Sequence, residues 1–150
     1  MQYQITFEPV AASDGEALAS LRVEAMRESL QRVGRFDPQR ARDRFLSNFS
    51  PNYTRHILLD GHKVGFFVVK PQANGLLLDH LYIQPGYQGK GLGAAALAEV
   101  FSQADREGCS LWVGALKESD SNRFYAKHGF VLVEQAEFDN YYVRHATNAL

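Results

Sequence analysis

Cysteine is almost absent from this 150-residue chain, in which Cys109 is the only one. A single cysteine excludes an intramolecular disulfide and any metal site that several cysteines would build. The five histidines stand at scattered positions without ligand spacing. The sequence therefore predicts no metal centre.

Long apolar runs and a strong charge of one sign are absent as well. No apolar run approaches the ~20 residues that span a bilayer. The first ten residues, MQYQITFEPV, lack the basic flank and apolar stretch of a secretory signal. The formal net charge of −1 gives no general attraction to nucleic acid or an anionic membrane. These absences predict a soluble, cytoplasmic protein that binds neither nucleic acid nor membrane.

What is present is an ordinary globular composition, with 45% hydrophobic and 22% charged residues. No repeat or linker interrupts the chain, so the sequence predicts one domain over residues 1–150. The spacing of apolar residues predicts the element order β-αα-βββ-α-β-α-ββ. This order indicates the α/β fold class, with a mixed β-sheet flanked by helices.

Capping and turn residues mark several boundaries of these elements. Ser13 and Glu16 have the spacing of a capping box and predict the start of the first helix. Asp37-Pro38 is a favourable start for the second helix, since aspartate caps and proline fits the first helical position. Asp60-Gly61, between two β-rich runs, predicts a tight hairpin.

A glycine cluster in YQGKGLGA, residues 87–94, stands where a helix is expected to begin. Glycines there let the backbone approach a ligand, and the first helical amides lack intrahelical partners, so the pattern favours a phosphate site. The Walker pattern fails because Lys90 precedes Gly91. The stretch GLGAAA (91–96) satisfies the loose dinucleotide fingerprint. However, QPGYQ separates it from the preceding strand, and too few βα units follow.

The stretch QGKGLG (88–93), read as Q-x-x-G-x-G after LYIQP, resembles the acetyl-CoA-binding motif of the GCN5-related N-acetyltransferase (GNAT) family. The stretch SNRFYAKHGF (121–130), about 30 residues later, is similar to a second segment of that family. Ser121 stands where the family often has alanine. The element order also matches, so the resemblance covers nearly the whole chain. It implies acetyl-CoA-dependent transfer of an acetyl group to a primary amine of a small molecule or peptide.

The resemblance also implies how acetyl-CoA, as co-substrate, is bound. The amides between Gly89 and Gly93 would hold the pyrophosphate, and the backbone of the LYI tripeptide would hydrogen-bond the pantetheine arm as a strand does. Lys90 is either an added charge or a solvated lysine. The implied cofactor-binding set is Leu81, Tyr82, Ile83, Gln88, Gly89, Lys90, Gly91, Leu92, Gly93 and Asn122.

Tyr125 occupies the family's general-acid position by this resemblance. A tyrosine, with pKa about 10, can supply a proton to a departing thiolate whose conjugate thiol has pKa about 8.5. The alternative is an aromatic core residue. Asn122, one turn earlier, is either a cofactor ligand or a helix-capping residue.

The general base is less sharply indicated. Asp79, two residues ahead of the LYI tripeptide, stands where some family members carry a base. His80, Glu28 and a relaying water are the alternatives. Alternation predicts that Asp79 shares a strand face with Leu77 and Leu81, while His80 points to the other face.

The family's acceptor site is shaped largely by the first two helices and their loop, where Arg27, Glu28 and Phe36 are implied as substrate-binding residues. Seven of the 16 basic residues fall between Arg22 and Arg44, against four acidic residues. This local excess indicates either a site for an anionic acceptor or a solvated exterior. A non-catalytic module that binds acyl-CoA is the alternative function, against which Tyr125 argues. A homodimer is left open.

Overall fold

The computed structural model describes residues 3–146, and its elements follow the predicted order. The strands are β1 (Ile5–Pro9), β2 (Thr54–Leu59), β3 (His62–Gln72), β4 (Gly75–Ile83), β5 (Leu111–Leu116), β6 (Val131–Gln135) and β7 (Asp139–Arg144). The helices are α1 (Gly15–Arg32), α2 (Pro38–Ser47), α3 (Leu92–Glu107) and α4 (Ser121–Lys127). Two 3-10 turns, Ala12–Asp14 and Pro51–Tyr53, precede α1 and β2.

The strands form one seven-stranded mixed sheet in the order β1-β2-β3-β4-β5-β7-β6. Strands β4 and β5 are parallel, and β5 pairs antiparallel with β7. The α/β fold class and the element order predicted from the sequence are confirmed. Over residues 3–146, no helix combines the length and the apolar character that crossing a bilayer requires.

Two of the three predicted boundary signals hold in the structure. The Asp37 carboxylate accepts a hydrogen bond from the Arg40 amide (3.1 Å) at the start of α2. Asp60 and Gly61 both have positive φ, 50° and 85°, the combination that a two-residue hairpin turn needs.

The predicted capping box of Ser13 and Glu16 is wrong. The N-cap of α1 is Asp14, because the 3-10 turn takes up Ser13. The Asp14 carboxylate accepts from the Ala11 amide (2.8 Å) and lies 3.1 Å from Nε2 of the buried His56. Backbone donation from Ala11, and then His56, hold the pKa of Asp14 below its usual value.

The chain divides into two compact units, which share β3, β4 and α3. The first contains the residues up to Val68 together with His80–Leu97, and the second contains Val69–Asp79 and the residues from Ala98 onward. In the first unit, Phe45 of α2 and Phe66 of β3 meet edge to face in the core (5.4 Å). That core comprises Val10, Leu18, Ala19, Phe45, Phe66 and Val68. The prediction of a single domain stays a prediction.

Strand β5 and helix α4 both contribute to the buried interior of the second unit. Leu111 and Val113 of β5 are buried, as are Tyr125 and Phe130 at and beyond α4. The rings of Tyr125 and Phe130 pack edge to face at 5.3 Å.

Candidate active site

The glycine loop leads into α3 with a backbone that few other residues could adopt. Gly89 and Gly91 have φ of +80° and +79°, and a Cβ at either position would meet nothing within 4 Å. The loop therefore keeps glycine for its conformation, and its surface carries no side chain at these two points. Next along the chain, Leu92 is almost fully buried and anchors the start of α3.

The first turn of α3 begins without a capping side chain. Its first intrahelical hydrogen bond is donated by the Ala95 amide to the Gly91 carbonyl (3.0 Å). The amides of Leu92, Gly93 and Ala94 precede that bond and have no helical carbonyl to reach. Gly91, as the residue before the helix, has no side chain to offer them. Such a helix start attracts an anion.

The side chains of Gln88 and Lys90 in this loop contact residues outside the first turn of α3. Gln88 donates to the Ile83 carbonyl at 3.5 Å, which ties the loop to the end of β4. The exposed ammonium of Lys90 lies 3.5 Å from the Tyr3 hydroxyl and over the ring of that tyrosine. The loop thus presents mainly backbone donors.

Strand β4 pairs with β5 only over its first part. The parallel register covers Leu76–Leu78 and ends there, so the last five residues of β4 lie beyond it. On the other side, β3 approaches closely, because a Cβ at Gly65 would lie 2.5 Å from the Tyr82 carbonyl oxygen. Since peptide groups alternate along a strand, the carbonyls of Leu81 and Ile83 point to the edge away from β3.

The side chains of His80 and Tyr82 share one face of β4 and meet residues of α1 and α2. The ring of His80 lies 5.3 Å from that of Phe45, and its Nδ1 lies 3.5 Å from the Tyr82 hydroxyl. The same hydroxyl donates to the sulfur of Met26 at 3.3 Å. This face of β4 therefore meets the two helices implied in acceptor binding, α2 through His80 and α1 through Tyr82.

Asp79 lies on the opposite face of β4 by strand alternation. Its carboxylate forms an ion pair with the ammonium of Lys70 on β3 at 3.3 Å, and both side chains are about one-quarter to one-third exposed. The sequence had no feature that indicated this lysine. As a base, Asp79 would act beside a positive charge.

Helix α4 carries Tyr125 and Asn122. Tyr125 is buried, with 6% of its surface exposed. The Asn122 amide donates to the carbonyls of Leu116 (2.9 Å) and Ser119 (3.0 Å). Its oxygen accepts from Asn140 (2.9 Å) and from the hydroxyl of Tyr142 (2.8 Å). These bonds account for Asn122 as a structural anchor, and its role as a cofactor ligand stays a prediction.

The three residues implied in acceptor binding differ in their surroundings. The guanidinium of Arg27 stacks over the ring of Phe36 at 4.6 Å and pairs with Glu24 at 2.8 Å. The hydrogen bond to Glu24 raises the pKa of Arg27. Glu28 is 88% exposed and pairs with Arg32 at 3.2 Å. Arg27 and Phe36 thus form one cluster, whereas Glu28 faces solvent.

The predicted site residues are divided between the two units. The first holds the LYI tripeptide, the glycine loop and the acceptor-binding residues of α1 and α2, and the second holds Asp79, Asn122 and Tyr125. Arg22 interrupts the apolar stripe of α1 between Leu18 and Met26, and no sequence motif marks it out. Within residues 3–146, no group of three or more His, Cys, Asp or Glu could hold a metal ion.

Comparisons with known proteins define the class of this fold and site. A family model described as an acetyltransferase (GNAT) domain matches residues 52–132, which is more than half of the chain. The chain therefore belongs to the GNAT family. An uncharacterized N-acetyltransferase of Mycobacterium tuberculosis is 36% identical over 74 residues, 47% of each chain. The chain thus aligns with about half the length of the curated relatives it matches.

Solved structures share the fold at low sequence identity. The PaiA N-acetyltransferase of Thermoplasma acidophilum, in complex with coenzyme A, has a TM-score of 0.78 and 18% identity. The match covers 95% of this chain and 99% of that one. The ribosomal-protein-S18-alanine N-acetyltransferase of Escherichia coli has a TM-score of 0.73 and 16% identity, with 97% and 96% covered. At such identities, the likeness concerns the fold alone.

Proposed function

We propose that this chain is an acetyl-CoA-dependent N-acetyltransferase that acetylates a primary amine of a small molecule or peptide. One observation carries the proposal. In a chain of the GNAT family, α3 follows a loop with two positive-φ glycines, Gly89 and Gly91, and the latter has no side chain to cap the first amides of the helix. We propose further that residues 1–150 act as one domain.

The cofactor would be held mainly by backbone. The amides from Gly89 to Gly93 would bind the pyrophosphate, whose charge suits the start of a helix. The backbone of Leu81 and Ile83 would pair with the pantetheine arm, since their carbonyls point away from β3. Gln88 and Leu92 would hold the loop in place, and Lys90 would add a charge beside it. The PaiA neighbour, solved with coenzyme A, supports a cofactor of this class.

The chemistry requires one proton to leave the amine and one to reach the thiolate. In the proposed reaction, the neutral amine nitrogen forms a bond to the thioester carbonyl carbon, and the carbon–sulfur bond breaks. The Tyr125 hydroxyl gives its proton to the departing thiolate. The base that takes the amine proton is proposed to be Asp79. His80, which contacts Phe45 of α2 on the acceptor side, is the alternative.

A thiol-release assay with acetyl-CoA and a panel of amines, amino acids and peptides tests the function. We expect release of free coenzyme A that depends on one class of amine, together with an acetylated product of the matching mass. Acetyl-CoA binding by calorimetry without any amine-dependent release would instead favour the non-catalytic module. Absence of both would refute the assignment of the loop.

A further inference from the structure

One arginine of α1 differs from the other two of that helix. Arg27 and Arg32 pair with Glu24 and Glu28, respectively. Arg22 of α1 has no carboxylate partner within residues 3–146. It donates through one Nη to the Ala41 carbonyl of α2 at 2.5 Å.

The other edge of the Arg22 guanidinium carries a donor that has no partner in the described part of the chain. This donor is Nε, which is buried. With one Nη on Ala41, Nε and the second Nη form the side of the guanidinium fork that matches two oxygens of a carboxylate. Because a buried unsatisfied donor is destabilising, such a group calls for a partner.

Arg22 lies one helical turn from a residue that contacts one of the β4 side chains described above. It precedes Met26 by one helical turn, and Met26 accepts from the Tyr82 hydroxyl. Its partner Ala41 precedes Phe45 by one turn, and Phe45 contacts His80. One turn corresponds to roughly 6 Å along either helix. Arg22 therefore lies one turn from the residue of α1 that contacts Tyr82, and its partner Ala41 lies one turn from the residue of α2 that contacts His80.

We propose that Arg22 binds a carboxylate of the acceptor, so that the amine this enzyme acetylates belongs to a carboxylate-bearing molecule such as an amino acid. This inference rests on the proposed function. Arg27, the sequence-based choice, is held by Glu24 and Phe36. Arg22 is the arginine of α1 whose fork is not already matched by an acid.

The test compares amino acids with their α-amides, which differ only in the carboxylate, in the thiol-release assay with acetyl-CoA. We expect kcat/KM to be about tenfold to a hundredfold higher for the acid than for its amide, mainly through KM. The amide's amine loses its proton more readily, so amine ionisation would favour the amide rather than the acid.

The protein side of the test uses Arg22→Gln, with Arg40→Gln, at an exposed position of α2, as the matched control for loss of one positive charge. Arg22→Gln is expected to lower kcat/KM for the acid by about tenfold or more and leave the amide within about twofold. Arg22→Lys keeps the positive charge but lacks the forked guanidinium. Its kcat/KM for the acid should lie between those of the parent and Arg22→Gln. Arg40→Gln should retain the parental preference.

Several outcomes would overturn the inference while the function stands. These are equal use of acid and amide by the parent enzyme, or an equal loss for both in Arg22→Gln. If Arg22→Gln does not fold, the parental acid–amide pair and Arg22→Lys still decide the matter. Absence of thiol release with every amine would instead reject the proposed function itself.

Discussion

Helices α2 and α3 differ in what is offered to the unpaired amides of their first turns. Each begins with amides that have no intrahelical carbonyl to reach. At α2, the Asp37 carboxylate accepts a hydrogen bond from the Arg40 amide at 3.1 Å. At α3, Gly91 precedes the first turn with φ +79° and has no side chain to offer.

The difference teaches how a binding site can be told from an ordinary helix start. A capped start is complete within the protein and stabilises the fold. A start that opens on glycine gives up the capping energy, and an anion can supply it instead. Because the chain belongs to the GNAT family, we propose that this anion is the pyrophosphate of acetyl-CoA.

The largest effect is expected on kcat. It tests whether acetyl-CoA held at the start of α3 is used in a reaction or is only bound. Tyr125→Phe keeps the ring that packs on Phe130 and removes the hydroxyl. We expect kcat to fall by about 10²- to 10⁴-fold, with acetyl-CoA affinity little changed, because a general acid acts as the thiolate departs.

Steady-state kinetics across pH 6 to 10 measure this effect, and calorimetry measures the affinity. The high-pH limb of the kcat profile should vanish or move in the variant. Near-parental kcat throughout that range would mean that water or another donor protonates the thiolate.

The next largest effect is expected from a substitution at Gly91, the glycine that precedes α3. Gly91→Val places a branched side chain at positive φ in the proposed pyrophosphate site. We expect acetyl-CoA affinity to fall by about tenfold or more, since charge-assisted hydrogen bonds would be lost. Gly108→Val, at φ +66° after the end of α3, carries similar backbone strain and is the matched control.

Calorimetry on the folded variants separates strain from binding. Both substitutions should lower the melting temperature, whereas only the one at Gly91 should weaken acetyl-CoA. An equal affinity in both variants and the parent would remove the loop from the cofactor site.

A smaller effect is expected from the capped helix. Asp37→Ala removes the carboxylate from the Arg40 amide and should lower the free energy of unfolding by about 1 kcal/mol. Acetyl-CoA affinity should not change. Urea unfolding and calorimetry of the same sample test both statements, and a change in affinity would show that the two helix starts are not independent.

The smallest effect concerns the start of α1, where Asp14 turns its carboxylate back to Ala11 and His56. Because folding depresses the pKa of Asp14 below 3.8, the ionised carboxylate stabilises the folded state above that pH. This contribution is lost as the pH falls through the folded value. Urea unfolding from pH 6 to pH 3 should show a steeper loss of stability in the parent than in Asp14→Asn; parallel curves would contradict the assignment.

Much of the fold could be predicted because its signals are local. The Asp60-Gly61 turn and the Asp37 cap depend on residues within a few positions of each other, and both are confirmed. The capping box of Ser13 and Glu16 failed because Asp14 reaches His56, 42 residues away, and a 3-10 turn displaces the helix start.

The residues of the candidate site also differ in whether local sequence could predict them. The glycine loop could be read from the sequence, since a conformation closed to other residues requires glycine wherever it occurs. Asn122 illustrates the limit, because two of its partners, Asn140 and Tyr142, lie on a strand that comes later in the chain.

The sequence by itself determined the order of elements, the glycine-opened start of α3 and membership of the GNAT family, all of which depend on residue types at short spacings. Only the tertiary structure decided what Arg22 contacts. The partner of Arg27, Glu24, lies three residues earlier on the same helix and can be read from local spacing. The carbonyl that Arg22 meets belongs to Ala41 of α2, and the burial of its Nε likewise arises from packing between distant segments, which no local pattern shows.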